Sequence, residues 1–244
     1  VSFVSGPCSA GPPPLVAVAH GSRDPRSAAT VHALLDVVRS LRPSLDVRGA
    51  FLDLSAPRLS DVLRGPAVVV PLLLGKAFHA RVDVPAAVAE SRVPAVVSDV
   101  LGPSPLLESA ALRRLAEAGV TFGDSSLGVV LAAAGSSHAP ANEAVASVAR
   151  RWARESGWAG VEPAFASAAS PDVPTAVARL RARGATRIAV ASWFLAPGLL
   201  PDRIASLAGD AVVAAPLGAD IEVAELILSR YSEALAEERT ARSA

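Results

Sequence analysis

A chain of 244 residues is long enough for one large α/β unit or two small domains. Apolar residues make up 51% of it and charged residues 19%, which supplies a core and excludes a disordered chain. The formal net charge is zero, which argues against a broad nucleic-acid or polybasic membrane surface, and no apolar run reaches a membrane span. The single Cys8 supports neither an intrachain disulfide nor a thiolate metal cage.

Residues 1–14 lack the basic start of a secretory signal and close on Pro12-Pro13-Pro14, so a loose tail is expected there, and a cytoplasmic enzyme is the default reading. Leu15 to Ala19 then reads as a buried parallel strand, which stops at the polar turn His20-Gly21-Ser22-Arg23-Asp24-Pro25. Gly21 permits the sharp turn, and Ser22 or Asp24 can cap the helix that follows. That helix carries Val31, Leu34, Leu35, Val38 and Leu41 at helical spacing, and Pro43 closes it. Val47 to Leu54 is a second strand, with Asp53 at its end and Ser55-Ala56-Pro57 after it. A short helix near Leu59 to Leu63 leads to a third strand, Ala67 to Leu74, and a loop holding Lys76, His79 and Arg81. A helix near Val84 to Glu90, a strand from Pro94 to Val100 and a helix from Pro105 to Ala118 complete one small parallel α/β unit.

The pattern then begins again. Leu127 to Gly135 is a strand ending in Ala-Gly-Ser, and Gly21-Ser22 recurs 114 positions on as Gly135-Ser136. Phe51 recurs as Phe165 and Pro57 as Pro171 at the same offset, whereas Leu74 matches Leu195 at an offset of 121. The second copy therefore has seven extra residues, which fall in the helix Thr175 to Arg183 and its Gly184 end. Val212 to Ala215 is the last strand and Ile221 to Glu237 a final amphipathic helix. A constant offset through strand, turn and helix marks a duplication. The expected domains are 15–122 and 123–244, the first carrying the site and the second a degenerate copy.

The copies differ where chemistry is expected, because ligands bind at the carboxyl ends of parallel strands. His20 faces Ala134, Asp53 faces Ser167 and His79 faces Leu200. Two imidazoles with an oxygen donor suit a borderline divalent metal, unless the histidines merely cap strand ends by hydrogen bonding. His138 stands at the position of Asp24, either a helix-start surface residue or a group facing the cleft. His32 reads as a surface residue of the first helix. Trp152 and Trp158 read as packing, and Trp193 with Phe194 as core or as a flat apolar wall.

Three motifs in order, Ala19-His20-Gly21-Ser22-Arg23-Asp24-Pro25, Ala50-Phe51-Leu52-Asp53-Leu54 with Pro57, and Val70-Pro71-Leu72-Leu73-Leu74 with His79 and Asp83-Val84-Pro85, resemble the sirohydrochlorin chelatase family. The resemblance implies two tandem α/β domains, each a four-stranded parallel sheet between helices, facing each other across a cleft. It implies insertion of a divalent metal, Fe2+ or Co2+, into a reduced tetrapyrrole on the way to siroheme or cobalamin, with no tightly bound cofactor beyond that metal substrate. His20 and His79 would hold the metal, with Asp53 beside them where glutamate is usual; its reach is about one methylene shorter. Ala77 stands where a glycine is common. Gly21, Ser22, Arg23, Arg26, Lys76 and Arg81 lie around the turns, placed to hold the substrate's carboxylates unless the cations are ordinary solvated ones. With both repeats in one chain a monomer is expected, with no nucleic-acid or membrane partner. Iron is the favoured metal, cobalt the alternative, and a non-catalytic metal or tetrapyrrole carrier the rival of another class.

Overall fold

The computed structural model describes residues 11–75 and 82–243, and in them the repeat becomes two four-stranded parallel sheets. The first contains β1 (Leu15–Ala19), β2 (Val47–Phe51), β3 (Ala67–Pro71) and β4 (Ala95–Val97) in the spatial order β2-β1-β3-β4. The second contains β5 (Leu127–Ala133), β6 (Gly160–Phe165), β7 (Arg187–Ser192) and β8 (Val212–Val213) in the order β6-β5-β7-β8. In each, the first strand in sequence is a central one and pairs in parallel with the next two strands. The registers repeat as well: Ala19 lies opposite Phe51, and Ala133 opposite Phe165.

Among the described residues eight helices follow the strands in turn: α1 (Pro25–Leu41), α2 (Leu59–Val62), α3 (Val84–Ser91), α4 (Pro105–Glu117), α5 (Ala139–Glu155), α6 (Val173–Ala182), α7 (Leu199–Leu207) and α8 (Ile221–Ser243). The seven-residue excess of the second copy falls where the offset change places it, since α2 has four residues and α6 has ten. Asp172 caps α6 by accepting from the Thr175 N–H at 3.0 Å, whereas its counterpart Arg58 has no acceptor to offer and stands before the single turn of α2. The strands are shorter than the hydrophobic runs suggest. β2 ends at Phe51, whose N–H turns to the carbonyl of Pro57 at 2.9 Å, so Asp53 stands in the following turn rather than in the strand.

Strand residues alternate between two cores. Leu15, Ala17 and Ala19, with Leu127, Val129, Leu131 and Ala133, face one core shared by both halves. Val16 and Val18 face a smaller outer core under α2 and α3, and Val130 and Ala132 face its equivalent under α6 and α7. In α1, Val31, Leu34, Leu35 and Val38 are buried in the shared core, worth roughly 2 kcal/mol each in transfer terms. The covering helices are exchanged. α8, from the second copy, packs on α1, β3 and β4 of the first, while α4, from the first, packs on β7 of the second. Glu108 of α4 fixes this crossing, accepting from the Arg151 guanidinium and from Trp152 Nε1 at 3.1 Å on α5. Of residues 11–14, Pro13 accepts from the Tyr231 hydroxyl at 2.6 Å and Pro14 from the Val68 N–H at 3.0 Å. No described helix is long and apolar enough to cross a membrane.

Candidate active site

The parallel sheet makes the tip of β1 a meeting point. β1 is flanked by β2 and β3, so residues just past these three strand ends converge. His20, the first residue beyond β1, is half-buried, with its Nδ1 shielded from solvent. Its carbonyl accepts from the Asp53 N–H at 2.9 Å, which places the Asp53 turn directly beside it. Gly21 makes this approach possible: its φ is +96°, and a Cβ there would lie 1.6 Å from the Asp53 carbonyl oxygen. Gly135 repeats the arrangement, with φ +83° and a Cβ position 1.9 Å from the Ser167 carbonyl oxygen.

Ser22 is held from two directions. Its N–H donates to Ser55 Oγ at 3.1 Å, and Ser55 Oγ donates to the Ser22 carbonyl at 2.9 Å. Ser22 Oγ in turn accepts from the Asp24 N–H at 3.1 Å. Asp24 caps α1, accepting from the Arg26 N–H at 2.9 Å, with Pro25 in the first turn. The Arg26 side chain holds the Asp24 carboxyl below the usual aspartate range, and the Arg26 N–H adds to this. Arg26 also reaches across to the second half, pairing with Asp202 of α7 at 2.5 Å. Its guanidinium, raised above its ordinary value by both carboxylates, thus bridges the two copies. Arg23 is exposed beside this turn.

Asp53 is exposed and paired with Arg58 at 3.1 Å, and Arg58 also donates to the Leu52 carbonyl at 3.0 Å. A cavity of about 320 Å³ adjoins His20 and Asp53 and is further lined by Asp83 and Glu90 of the α3 region, an acidic environment. A second cavity, about 380 Å³, lies between Leu73-Leu74-Gly75 of the first half and Ala134, Ser136, Phe165, Trp193 and Leu200 of the second. Its lining is mainly apolar. Trp193 therefore both packs into the core and closes this cavity, while Trp152 and Trp158 are buried packing residues and His32 is exposed, edge-on to Phe51. A further cavity of about 640 Å³ opens at the opposite ends of the strands, among Pro13, Pro66, Pro94 and Arg239, away from the tips.

His79, Lys76 and Arg81 lie outside the described residues. β3, which leads to them, is the neighbour of β1, and Leu72 N–H donates to the Val18 carbonyl at 2.8 Å. Among the described residues no group of three His, Cys, Asp or Glu side chains is placed to hold a metal ion.

No curated protein matches the chain in sequence. The CbiX family model does, twice, over residues 14–118 and again over 128–234. The chain belongs to the CbiX family. Among solved structures, SirB from Bacillus subtilis with Fe3+ superposes with a TM-score of 0.76 at 20% identity, covering 93% of this chain and 96% of that one. The sirohydrochlorin chelatase SirB from Bacillus subtilis subspecies spizizenii in complex with cobalt gives 0.71 at 20% identity, covering 90% and 94%. CbiX, the terminal enzyme for biosynthesis of siroheme in denitrifying bacteria, gives 0.69 at 22% identity, covering 91% and 99%. At these identities the likeness carries the fold: two parallel sheets flanked by helices, as expected from the repeat.

Several residues at this CbiX-family site escape a reading of motifs. Ser55 has no counterpart hydroxyl, since Ala169 stands at its place in the second copy, and the tie to Ser136 comes instead from Asn142 of α5. Asn142 Oδ1 accepts from the Ser136 N–H at 2.9 Å and its Nδ2 donates to the Ser136 carbonyl at 2.7 Å. Asn142 in turn matches Ala28. This reciprocal mismatch of polar and apolar residues was the available signal. Asp202 acts on a distant partner, Arg26, and Arg58 on Asp53 across a turn, and no motif marks either.

Proposed function

We propose that this CbiX-family chain is a metal chelatase that inserts a divalent ion into sirohydrochlorin. The carrying observation is the placement of His20 at the tip of β1, beside the Asp53 turn and an acidic cavity, where an otherwise matching second half has Ala134. The solved SirB and CbiX chelatases of the same fold support the reading.

Metallation must remove two pyrrole N–H protons while the entering ion sheds water. An imidazole near neutral pH serves as ligand to the ion or as acceptor of a proton. His20 and His79 are the assigned pair, one past β1 and one past its neighbour β3, with Asp53 as the adjacent carboxylate. Asp53, Asp83 and Glu90 give the cavity beside His20 the sign that attracts a cation. The apolar cavity between the halves suits the flat face of a macrocycle. The macrocycle's carboxylates fall to Arg23, Arg26, Lys76 and Arg81, with the backbone at Gly21 and Ser22. Arg26 must exchange Asp202 for a substrate carboxylate in that role. The domains at 15–122 and 123–244 each give one wall, so one chain suffices as a cytoplasmic monomer. Ferrous iron is the favoured substrate metal, and cobaltous ion the second.

An anaerobic assay with sirohydrochlorin and either Fe2+ or Co2+, followed by absorbance, tests this. Turnover above the uncatalysed rate, preferring one ion, is expected. Stoichiometric binding without turnover would make the chain a carrier and overturn the proposal.

A further inference from the structure

Each copy has the same exposed need at its Gly-Ser tip: the N–H and carbonyl of the serine must be paired, because the turn takes them out of the strand ladder. The second copy meets it from the helix below, through Asn142 of α5. The first meets it from the neighbouring loop, through Ser55. The need is identical, so the choice of partner carries the information.

Ser55 is two residues from Asp53, and the turn between them is tight. The Ser55 N–H donates to the Asp53 carbonyl at 2.7 Å around Leu54, whose φ of +60° lies in a region that a bulky side chain rarely occupies. This three-residue turn fixes the Ser55 hydroxyl and the Asp53 main chain relative to each other. The hydroxyl then grips Ser22, and the Asp53 N–H grips the His20 carbonyl at 2.9 Å. The His20 tip and the Asp53 turn are thereby clamped on both sides of Gly21. In the second copy Ala168 keeps the positive φ, at +54°, and Ser167 donates its N–H and its hydroxyl to the Ala134 carbonyl, both at 3.0 Å, but Ala169 lacks a hydroxyl, so Ser136 is tied to Asn142 and not to that loop.

We infer that Ser55 is a positioning residue, coupling the Asp53 turn to the His20 tip so that carboxylate and imidazole are presented together. The inference rests on the chelatase reading of His20. It assigns Ser55 an action through Asp53, beyond filling the hydrogen-bonding need of Ser22, and the second copy supplies the means to separate these two roles.

The experiment compares five variants and one control in the anaerobic metallation assay, with amide hydrogen exchange at Ser22 as a readout independent of turnover. Ser55→Ala should lower kcat about tenfold with KM for the macrocycle nearly unchanged, and should speed Ser22 exchange. Ser55→Thr, which keeps the hydroxyl, should retain most of the rate. Adding Ala28→Asn to Ser55→Ala installs the second copy's tie; it should restore Ser22 protection but leave kcat low. Adding Asp53→Asn to Ser55→Ala should be no slower than Asp53→Asn alone, because both act through one group. Full recovery of kcat by Ala28→Asn, or a normal rate for Ser55→Ala, would overturn the inference. His20→Ala is the separate control: if it too turns over normally, the chelatase reading of His20 has failed first. Should Ser55→Ala alone not fold, the variant carrying Ala28→Asn still decides the matter.

Discussion

The two halves share a main chain at their strand tips, with Gly-Ser, phenylalanine and proline at matching places, and differ in the charged and imidazole side chains around it. Gly21 and Gly135 make the same close approach, Leu54 and Ala168 the same positive φ, and Phe51 and Phe165 the same bond to a proline carbonyl. Around that common backbone, His20 faces Ala134, Asp53 faces Ser167 and Arg58 faces Asp172. The residue pairs follow a trade between chemistry and stability. Asp172 caps a ten-residue helix, while Arg58 stands before a four-residue one and holds Asp53 instead. The backbone geometry is thus common to both copies, and the imidazole and the Asp53 carboxylate belong to one of them.

Substitutions at matching positions can break that comparison. The largest effect is expected at the glycines. A Cβ at Gly21 or Gly135 would run into a carbonyl oxygen, so each Ala variant should lose about 3 kcal/mol in urea unfolding. Gly21→Ala should also abolish metallation, whereas folded Gly135→Ala should keep most of its kcat. Next comes His20→Ala, expected to cut metallation about a hundredfold or more with the fold intact. Ala134→His should add nothing, and a gain of activity from it would mean the copies are chemically interchangeable. Glu108→Ala, which strands Arg151 and the Trp152 N–H, should cost about 2 kcal/mol and destabilise both halves together in one unfolding transition.

Smaller effects sharpen the picture. Asp202→Asn releases Arg26 from its exposed bridge, so KM for the macrocycle should fall about threefold, with kcat unchanged. The smallest effect concerns the α1 cap. Asp24 has a lowered pKa in the folded chain, so its contribution is full above the ordinary aspartate range and is lost as pH falls through the lowered value. Asp24→Asn should therefore lower Tm slightly at neutral pH and progressively less as pH falls below the ordinary aspartate range, as thermal melts across pH would record.

Much of the fold was legible because parallel strands buried on both faces must be written as unbroken apolar runs, and Leu15 to Ala19 is one. The duplication was legible because turn geometry leaves few residue choices: Gly21 and Gly135 cannot vary without displacing a neighbouring carbonyl. Strand ends were read too long. Apolarity continues through Leu72, Leu73 and Leu74 beyond the last paired residue, Pro71, because these residues still line the cores and the cavity wall after the regular ladder has ended. Of the site, His20 and Asp53 were legible from their positions after strands. Ser55 and Asp202 were not, since their partners Ser22 and Arg26 are brought near only by the fold, and Arg58 was not, since its pairing with Asp53 across a turn follows no helix or strand period. The exchange of α4 and α8 left no trace in sequence either, for an amphipathic helix records that it covers a sheet and not which one.

That exchange sets the order in which the molecule can be completed during synthesis. The strands of the first sheet are made within the first hundred residues, yet part of their inner face is covered by α8, which begins at Ile221. On the ribosome, where the chain lengthens at roughly 5–20 residues per second, the β3 and β4 side of that face stays open to water for several seconds. Its apolar side chains are then available to chaperones or to another nascent chain, and the sheet closes only when the last helix of the second copy folds back across the first.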